Sequence, residues 1–256
     1  TRLQGDWSSD VCSSDLFFEK TAAIYSGYFD LKSKSGTTFN FNKRLEIINK
    51  MSSDFSGKLL DCAVGDGKIT ASIISNQKFS EATCVDLSAN MLELCKYNCQ
   101  MFESNVNIDY INSDIFQFLN NSEKQYNLII CSGLIAHISN PIELLKLLHN
   151  ALCADGGMIL QTTLLDSIMT KIVKFLTEEK YFRENGYRIN YYTSQDIENI
   201  CKSSFLEIED RVKFSIGLQF LDRFIYPKFN YFMESKLDIF SRHLGSESIY
   251  LLRKKS

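Results

Sequence analysis

Short apolar stretches alternate with amphipathic stretches along most of this chain. LLDCAV and NLIICS are nearly continuous in apolar residues, whereas Phe41, Leu45, Ile48 and Met51 recur at the three- and four-residue spacing of a helix. Buried apolar strands that alternate with amphipathic helices are typical of a mostly parallel sheet with helices on both faces. The pattern therefore predicts an α/β fold, with two helices, over 17 to about 30 and over 39–55, before the first strand.

The pattern becomes less regular after Thr163. Helices are predicted over 167–184 and 193–202, followed by the strand-like stretches FLEIEDRVKF and SIYLLRKK. About thirty residues separate these last two strands, which is too long for an unstructured loop inside a compact domain. We therefore predict a helical insertion over about 215–245, interrupted at Pro227.

Composition predicts one globular domain over 17–256 and excludes several other classes. Apolar residues make up 45% of the 256 residues, which is enough for one sizeable core. The net charge of −3 gives no reason to expect DNA as a partner. The uncharged stretch 125–142 contains Asn127, His137 and Pro141, so it is not expected to be a transmembrane helix.

The eight cysteines are scattered singly and form no C-x-x-C motif. Cys95 and Cys99 lack the third cysteine of an iron–sulfur pattern, because Phe102 stands at its position. We predict free thiols in a reducing cytoplasm, with no disulfide and no metal. No secretion signal is expected either, because the chain shows no basic and then apolar N-terminal segment.

Residues 1–16 are rich in serine and aspartate. The stretch DWSSDVCSSDL resembles the conceptual translation of a sequencing-adapter oligonucleotide, so we expect residues 1–16 to be a disordered assembly scar. The alternative is a genuine disordered tail rich in Ser and Asp, whose composition cannot build a core. In either case we expect no function from this segment.

Three acidic residues close three successive strand-like stretches. Asp61 precedes a turn with Gly65 and Gly67, Asp86 lies 21 residues beyond Gly65, and Asp114 closes the third stretch. Glycines let a backbone approach a ligand closely, and an acidic residue about 20 positions further on meets ribose hydroxyls in nucleotide-binding α/β folds. The sequence therefore predicts a site for an adenosine-containing cofactor.

These residues resemble the S-adenosylmethionine (SAM) binding motifs of class I methyltransferases. The resemblance is strongest over about 17–165 and implies a Rossmann-like, seven-stranded, mostly parallel sheet whose last strand is antiparallel. Ala63 departs from the usual glycine, although the Asp-x-Ala-x-Gly-x-Gly form is familiar from quinone-pathway C-methyltransferases. The stretch FFEKTAAIYS, with Tyr25, is similar to the aromatic N-terminal segment of the same group.

The resemblance implies a role for each matched residue. Asp86 would bind the ribose, and Asp114 would accept a hydrogen bond from the adenine amino group. The remaining positions implied to contact the cofactor are Asp61, Ala63, Gly65, Gly67, Leu87, Met91, Ile115 and Ser132. Each acid also has a structural alternative: Asp61 as a brace of the glycine turn, Asp86 as a helix N-terminal acid, and Asp114 as an ordinary surface acid.

His137 is the candidate for chemistry. It follows the fourth predicted strand in SGLIAHISNP, where the ligand-facing loops of open parallel sheets lie. The alternatives are a general base and a loop-stabilising histidine that bonds to backbone. Tyr25, Tyr28, Tyr191 and Tyr192 are further candidates for closing over the donor or the acceptor, with ordinary packing as the alternative; Tyr25 is the one among them that we expect to contact the cofactor.

The resemblance implies a SAM-dependent methyltransferase that acts on oxygen or carbon of a small aromatic, quinone-like or lipidic acceptor. Alternatives are an RNA or protein methyltransferase, a NAD-binding oxidoreductase and a non-catalytic SAM-binding protein. An amino-methylating DNA enzyme is excluded, since the only prolines are Pro141 and Pro227 and its motif needs two in succession. NAD is disfavoured, because Thr70 stands where the dinucleotide fingerprint has its third glycine.

The aromatic insertion over 215–245 is the best indication of a partner. Its apolar residues, with Arg223, Lys228 and Lys236 among them, suit a lid over an apolar pocket or peripheral contact with a membrane surface. Additional core helices or a dimer contact are the structural alternatives. We expect a monomer or a homodimer.

Overall fold

The computed structural model describes residues 34–255, except 76–78 and 102–104, and does not describe the side chain at 185. Residues 1–16, the helix predicted from 17 to about 30, Tyr25 and Tyr28 therefore lie outside the described residues. All statements below refer to the described part of the chain.

Seven strands form one sheet in the order β3-β2-β1-β4-β5-β7-β6. Every pair is parallel except β5 with β7 and β6 with β7, so the last strand alone runs antiparallel. This arrangement confirms the predicted fold class. The strands are β1 (Gly57–Cys62), β2 (Phe79–Asp86), β3 (Asn107–Asn112), β4 (Tyr126–Ser132), β5 (Leu152–Thr163), β6 (Leu206–Phe214) and β7 (Glu247–Lys254).

Helices connect the strands, and three shorter 3₁₀ helices interrupt the loops. The α-helices are α1 (Gly36–Ser52), α2 (Lys68–Ile74), α3 (Ala89–Gln100), α4 (Ile115–Asn121), α5 (Pro141–Ala151), α6 (Ile168–Asn185), α7 (Ser194–Ser203), α8 (Pro227–Leu237) and α9 (Ser241–Leu244). Side chains cap five of these helices by accepting a backbone amide of the first turn: Ser35 for α1, Ser88 for α3, Asp114 for α4, Asn140 for α5 and Thr193 for α7. Thr193 and Asp196, for example, form a reciprocal capping box at the start of α7.

The core has one layer on each face of the sheet. On β4, Ile129 packs into the layer formed with α5 and α7, whereas Leu128 and Ile130 pack into the opposite layer with α1 and α3. All three side chains are completely buried. A strand that is covered on both faces needs apolar residues at every position, which explains the continuous apolar run NLIICS.

The segment 215–246, between β6 and β7, contains two 3₁₀ helices and the helices α8 and α9. It packs against α1: the Asp222 carboxylate accepts the backbone amides of Gly36 and Thr37, each at 2.9 Å. The rings of Phe39 and Tyr231 also meet edge to face with their centroids 5.6 Å apart. Pro227 occupies the first turn of α8, where its missing amide costs no hydrogen bond.

No helix in the described part of the chain is long and apolar enough to cross a bilayer. The cysteines that the structure describes are unpaired, and all except the half-buried Cys153 are buried.

Candidate functional site

The predicted site residues converge on the carboxyl edge of the parallel strands. Cys62 is in register with Val85 on β2 and with Cys131 on β4, so the ends of these three strands lie side by side. In open α/β sheets this edge is where ligands bind. The loops that follow β1, β2 and β4 therefore meet at one place.

The turn after β1 has an unusual backbone. Ala63, Gly65 and Gly67 all have positive φ, at 56°, 57° and 73°. A Cβ at Gly67 would stand 2.8 Å from the Cα of Cys95 on α3, which leaves no room for any side chain. The positive φ of Ala63 also explains why glycine suits this position better. The turn thus packs tightly against α3 at Gly67.

Asp86 joins the glycine turn to the end of β2. Its Oδ2 accepts the Gly65 amide at 2.8 Å, and its Oδ1 accepts the Ser88 amide at 2.9 Å. The helix cap of α3 is Ser88, whose Oγ accepts the Met91 amide at 3.2 Å. Asp86 is therefore not the side chain that caps α3, and its carboxylate is held in a fixed orientation beside Gly65.

Asp61 faces the interior. Its side chain is buried, and its Oδ2 accepts the Thr70 hydroxyl at 2.5 Å. Burial raises the Asp61 pKa from 3.8 to about 7; the charges of Asp86 and Asp66 also raise it, while the Thr70 hydrogen bond lowers it. These contacts brace the end of β1 against α2.

We expect Asp61→Asn to change how stability depends on pH. The folded-state pKa is raised, so the Asp61 contribution to stability is full below about pH 4 and is lost as the pH rises towards 7. Between about pH 5 and 8 the wild type should therefore lose about 2 to 3 kcal/mol of unfolding free energy relative to Asp61→Asn.

Urea unfolding at several pH values measures this difference. Asp54→Asn is the matched control, because it removes one carboxylate from an exposed position. Parallel stability curves for the wild type and Asp61→Asn would contradict a carboxyl that folds in its protonated form.

The loops after β2 and β3 are held together. Asn112 Nδ2 donates to the backbone oxygens of Asp86 and Leu87, at 3.1 and 2.7 Å, and the Ser113 amide donates to the Asp86 oxygen at 3.1 Å. Asp114 caps α4, because its Oδ1 accepts the Gln117 amide at 2.9 Å. Asp114 therefore lies just after the end of β3, at the same edge of the sheet, and its carboxylate also caps α4.

The apolar candidates beside these loops differ in exposure. Leu87 is 39% exposed, whereas Ile115 and Met91 are buried, with Met91 only 1% exposed. Leu87 can thus contact a ligand at the surface of the site. Met91, a residue of α3, lies in the interior of the protein.

Ser132 belongs to a chain of polar side chains that the sequence did not predict. The Ser132 hydroxyl donates to Gln161 Oε1 at 2.9 Å, and Gln161 Nε2 donates to Glu247 Oε2 at 2.6 Å. The pKa of Glu247 lies above its usual value because the side chain is buried, and the positive charge of Arg44 offsets part of this rise. The only sequence signal was an acidic residue that begins the buried last strand.

His137 lies in the loop after β4, at the end of the 3₁₀ helix Leu134–His137. Its Nδ1 is 3.2 Å from the Tyr187 hydroxyl, which is 2.6 Å from the Tyr181 hydroxyl. Burial lowers the His137 pKa to about 4, so the ring is neutral near pH 7. The roles of Tyr181 and Tyr187 could not be predicted from the sequence, because no local pattern links them to a histidine more than forty residues earlier.

The segment after α6 supports the His137 loop. Asn190 donates from its backbone amide to the Ala136 oxygen at 2.8 Å and from Nδ2 to the Ile138 oxygen at 2.9 Å. Tyr192, a candidate from the sequence, donates to the Ile135 oxygen at 3.3 Å. Tyr191 instead lies under the Lys174 ammonium group, 5.2 Å from its ring centroid.

Comparison with known proteins places this geometry in a family. A family model described as "Methyltransferase domain" matches residues 38–209. The chain is 25% identical over 147 residues to the ubiquinone biosynthesis O-methyltransferase of Erwinia tasmaniensis, a match that covers 57% of this chain and 58% of that protein. It is 23% identical over 158 residues to the malonyl-[acyl-carrier protein] O-methyltransferase of Halalkalibacterium halodurans, covering 60% and 55%. The chain thus spans less than two thirds of these relatives.

Solved structures share the fold at low sequence identity. Magnesium protoporphyrin IX methyltransferase of Synechocystis, with bound SAH, superposes with a TM-score of 0.65 at 13% identity, covering 97% of this chain and 100% of that one. The cyclopropane synthase MmaA2 of Mycobacterium tuberculosis gives a TM-score of 0.61 at 14% identity, covering 89% and 88%. These two similarities concern the fold.

Proposed function

This chain belongs to the family of methyltransferase domains, and on that premise we propose that it transfers the SAM methyl group to oxygen or carbon of a small acceptor. The proposed acceptor is aromatic, quinone-like or lipidic. The observation that carries the proposal is the Asp86 carboxylate, which is fixed against the Gly65 amide at the carboxyl edge of the sheet. Bound SAM supplies a sulfonium-activated methyl group.

The residues at this edge fit the donor. Gly65 adds no side chain to the turn beside this edge, and Asp86 is held where a ribose diol can donate to it. Asp114, which caps α4, is proposed to accept from the adenine amino group. Leu87 and Ile115 are proposed to contact the flat faces of the base.

The structure favours SAM over a dinucleotide for a further reason. Thr70, at the position of the third glycine in the dinucleotide fingerprint, is completely buried, and its hydroxyl is bonded to Asp61. The third glycine of that fingerprint serves close packing of helix against strand. In this chain the Thr70 hydroxyl, bonded to the Asp61 carboxylate, lies at the position where that glycine would allow close packing.

The His137 loop is proposed to form the acceptor side. In the tautomer whose Nδ1–H donates to the Tyr187 oxygen, Nε2 keeps a lone pair. That lone pair can take the proton that a hydroxyl acceptor loses on methylation. The protein's other tasks are to hold the acceptor in line with the methyl group and to exclude water.

Titration calorimetry of the full chain with SAM and with NAD tests the donor assignment. We expect SAM to bind and NAD not to bind, and the reverse result would overturn the proposal. A screen of phenolic, quinone-like and lipidic acceptors, with mass spectrometry of the products, then tests the acceptor class. Methylation of RNA or protein substrates alone would favour the competing class of methyltransferase.

A further inference from the structure

The segment 215–246 exposes a dense set of large apolar side chains. Seven of them are each more than half exposed: Phe224, Tyr226, Phe229, Phe232, Ile239, Phe240 and Leu244. Single exposed apolar residues are common on protein surfaces and need no explanation. Seven lie within one segment of about thirty residues, and clustered exposed apolar residues mark interaction surfaces.

The charged groups of this segment are divided by sign. The basic side chains Arg223, Lys228, Lys236 and Arg242 are exposed. The acidic ones face the protein: Glu234 is completely buried, Asp222 accepts amides of α1, and Asp238 lies 3.5 Å from Lys43. The outer surface of 215–246, which we call the aromatic–basic face, thus combines aromatic rings with exposed positive charge, while the three carboxylates of the segment are buried or only partly exposed.

The orientation of α8 explains this division. Asn230 and Glu234, one helical turn apart, are both completely buried, and each bonds to the preceding 3₁₀ segment. Asn230 Nδ2 donates to the Leu218 oxygen at 2.8 Å, and Glu234 accepts the amides of Ile216 and Leu218. Because the polar side of α8 faces the protein, Phe229 and Phe232 face outward. This is the reverse of an ordinary amphipathic surface helix.

A second apolar surface provides a comparison. On α6, Ile168, Ile172 and Phe175 are also exposed. There, however, the charges alternate in sign, with the ion pairs Lys174–Glu178 and Lys180–Glu184. Of these two surfaces in the described part of the chain, only the aromatic–basic face joins exposed apolar groups to exposed charge of a single sign.

We propose that the aromatic–basic face docks on the surface of an anionic lipid bilayer. Aromatic and aliphatic side chains would enter the boundary between headgroups and acyl chains, where amphipathic helices with basic polar residues bind. The four exposed cations would face anionic headgroups, and no fully exposed carboxylate of the segment would oppose them. The proposal concerns membrane association and does not depend on methyl transfer.

A second copy of the chain is a poorer occupant. In a two-fold dimer the same surface meets itself, so the four cations of one face would meet the four cations of the other. Such like-charge contacts are unfavourable at an interface. Charge complementarity therefore selects the anionic surface.

Vesicle co-sedimentation of the full chain tests the proposal. At about 0.1 M salt we expect binding to phosphatidylcholine vesicles that contain roughly one third phosphatidylglycerol, and much weaker binding to phosphatidylcholine alone. Lys228→Glu/Lys236→Glu should lower the partition coefficient at least about tenfold. Phe229→Ser/Phe232→Ser should lower it comparably without changing charge.

Two controls keep the result specific. Lys96→Glu/Lys202→Glu makes the same charge change on exposed positions of α3 and α7 and should leave binding within about twofold of wild type. The unfolding midpoints should also be unchanged, since the substituted side chains are exposed. If Lys96→Glu/Lys202→Glu lost as much vesicle binding as Lys228→Glu/Lys236→Glu, the net charge of the protein would explain the loss, and the proposal would be overturned.

Other outcomes would also overturn it. One is absence of binding to phosphatidylglycerol vesicles, and another is selective binding of a polynucleotide. A third is a dimer in analytical ultracentrifugation that Phe229→Ser/Phe232→Ser dissociates, without any vesicle binding. That result would assign the face to a second copy of this chain.

Discussion

Asp86→Ala is expected to raise the SAM dissociation constant about 100-fold, because it removes charge-assisted hydrogen bonds that a ribose diol would make. The carboxylate is already held by the Gly65 and Ser88 amides, so little entropy is lost when it binds. The same substitution also frees the Gly65 amide and loosens the glycine turn. Calorimetry with SAM measures the combined effect.

Two further variants test whether the loss of SAM affinity comes from the contact to the ribose. Asp86→Asn keeps an oxygen acceptor but removes the charge, so we expect a loss of affinity smaller than that of Asp86→Ala. Asp114→Ala, at the adjacent strand end, should weaken SAM by about tenfold, since one contact to the adenine is lost. Unchanged SAM affinity in a folded Asp86→Ala variant would contradict the ribose assignment.

The sequence predicted the fold and the cofactor edge because both depend on local patterns. Alternating apolar strands and amphipathic helices determine a parallel sheet, and the spacing from Gly65 to Asp86 brings these residues to neighbouring strand ends. The structure adds that the two are directly hydrogen-bonded at 2.8 Å. The family match confirms the predicted methyltransferase. The cytoplasmic location and the oligomeric state stay predictions.

Roles that depend on distant contacts could not be predicted. Hydrogen bonds join Ser132, Gln161 and Glu247, although these residues are up to 86 positions apart. No periodicity in the sequence predicts such long-range contacts. Asp61 was identified by its motif, but its burial and its bond to Thr70 follow from the packing of α2 against β1. The outward aromatic residues of α8 likewise depend on which side of that helix contains Asn230 and Glu234.

His137→Ala is expected to lower kcat about 100-fold while leaving SAM affinity within about twofold, if Nε2 accepts the acceptor's proton. Tyr187→Phe is the matched variant, because it removes only the hydroxyl that lies 3.2 Å from Nδ1. It should lower kcat less, by about tenfold, since the imidazole remains but its tautomer and orientation are no longer fixed.

The pH profile of the wild type separates a base from a structural histidine. Burial holds the His137 pKa near 4, so the imidazole stays neutral and its contribution to kcat/KM should be constant from about pH 8 down to pH 5. Below that range the rate should fall as the ring is protonated, and the fall should be absent in the residual activity of His137→Ala. Full turnover in His137→Ala would instead show that the ring serves the loop, together with Tyr192 and Asn190.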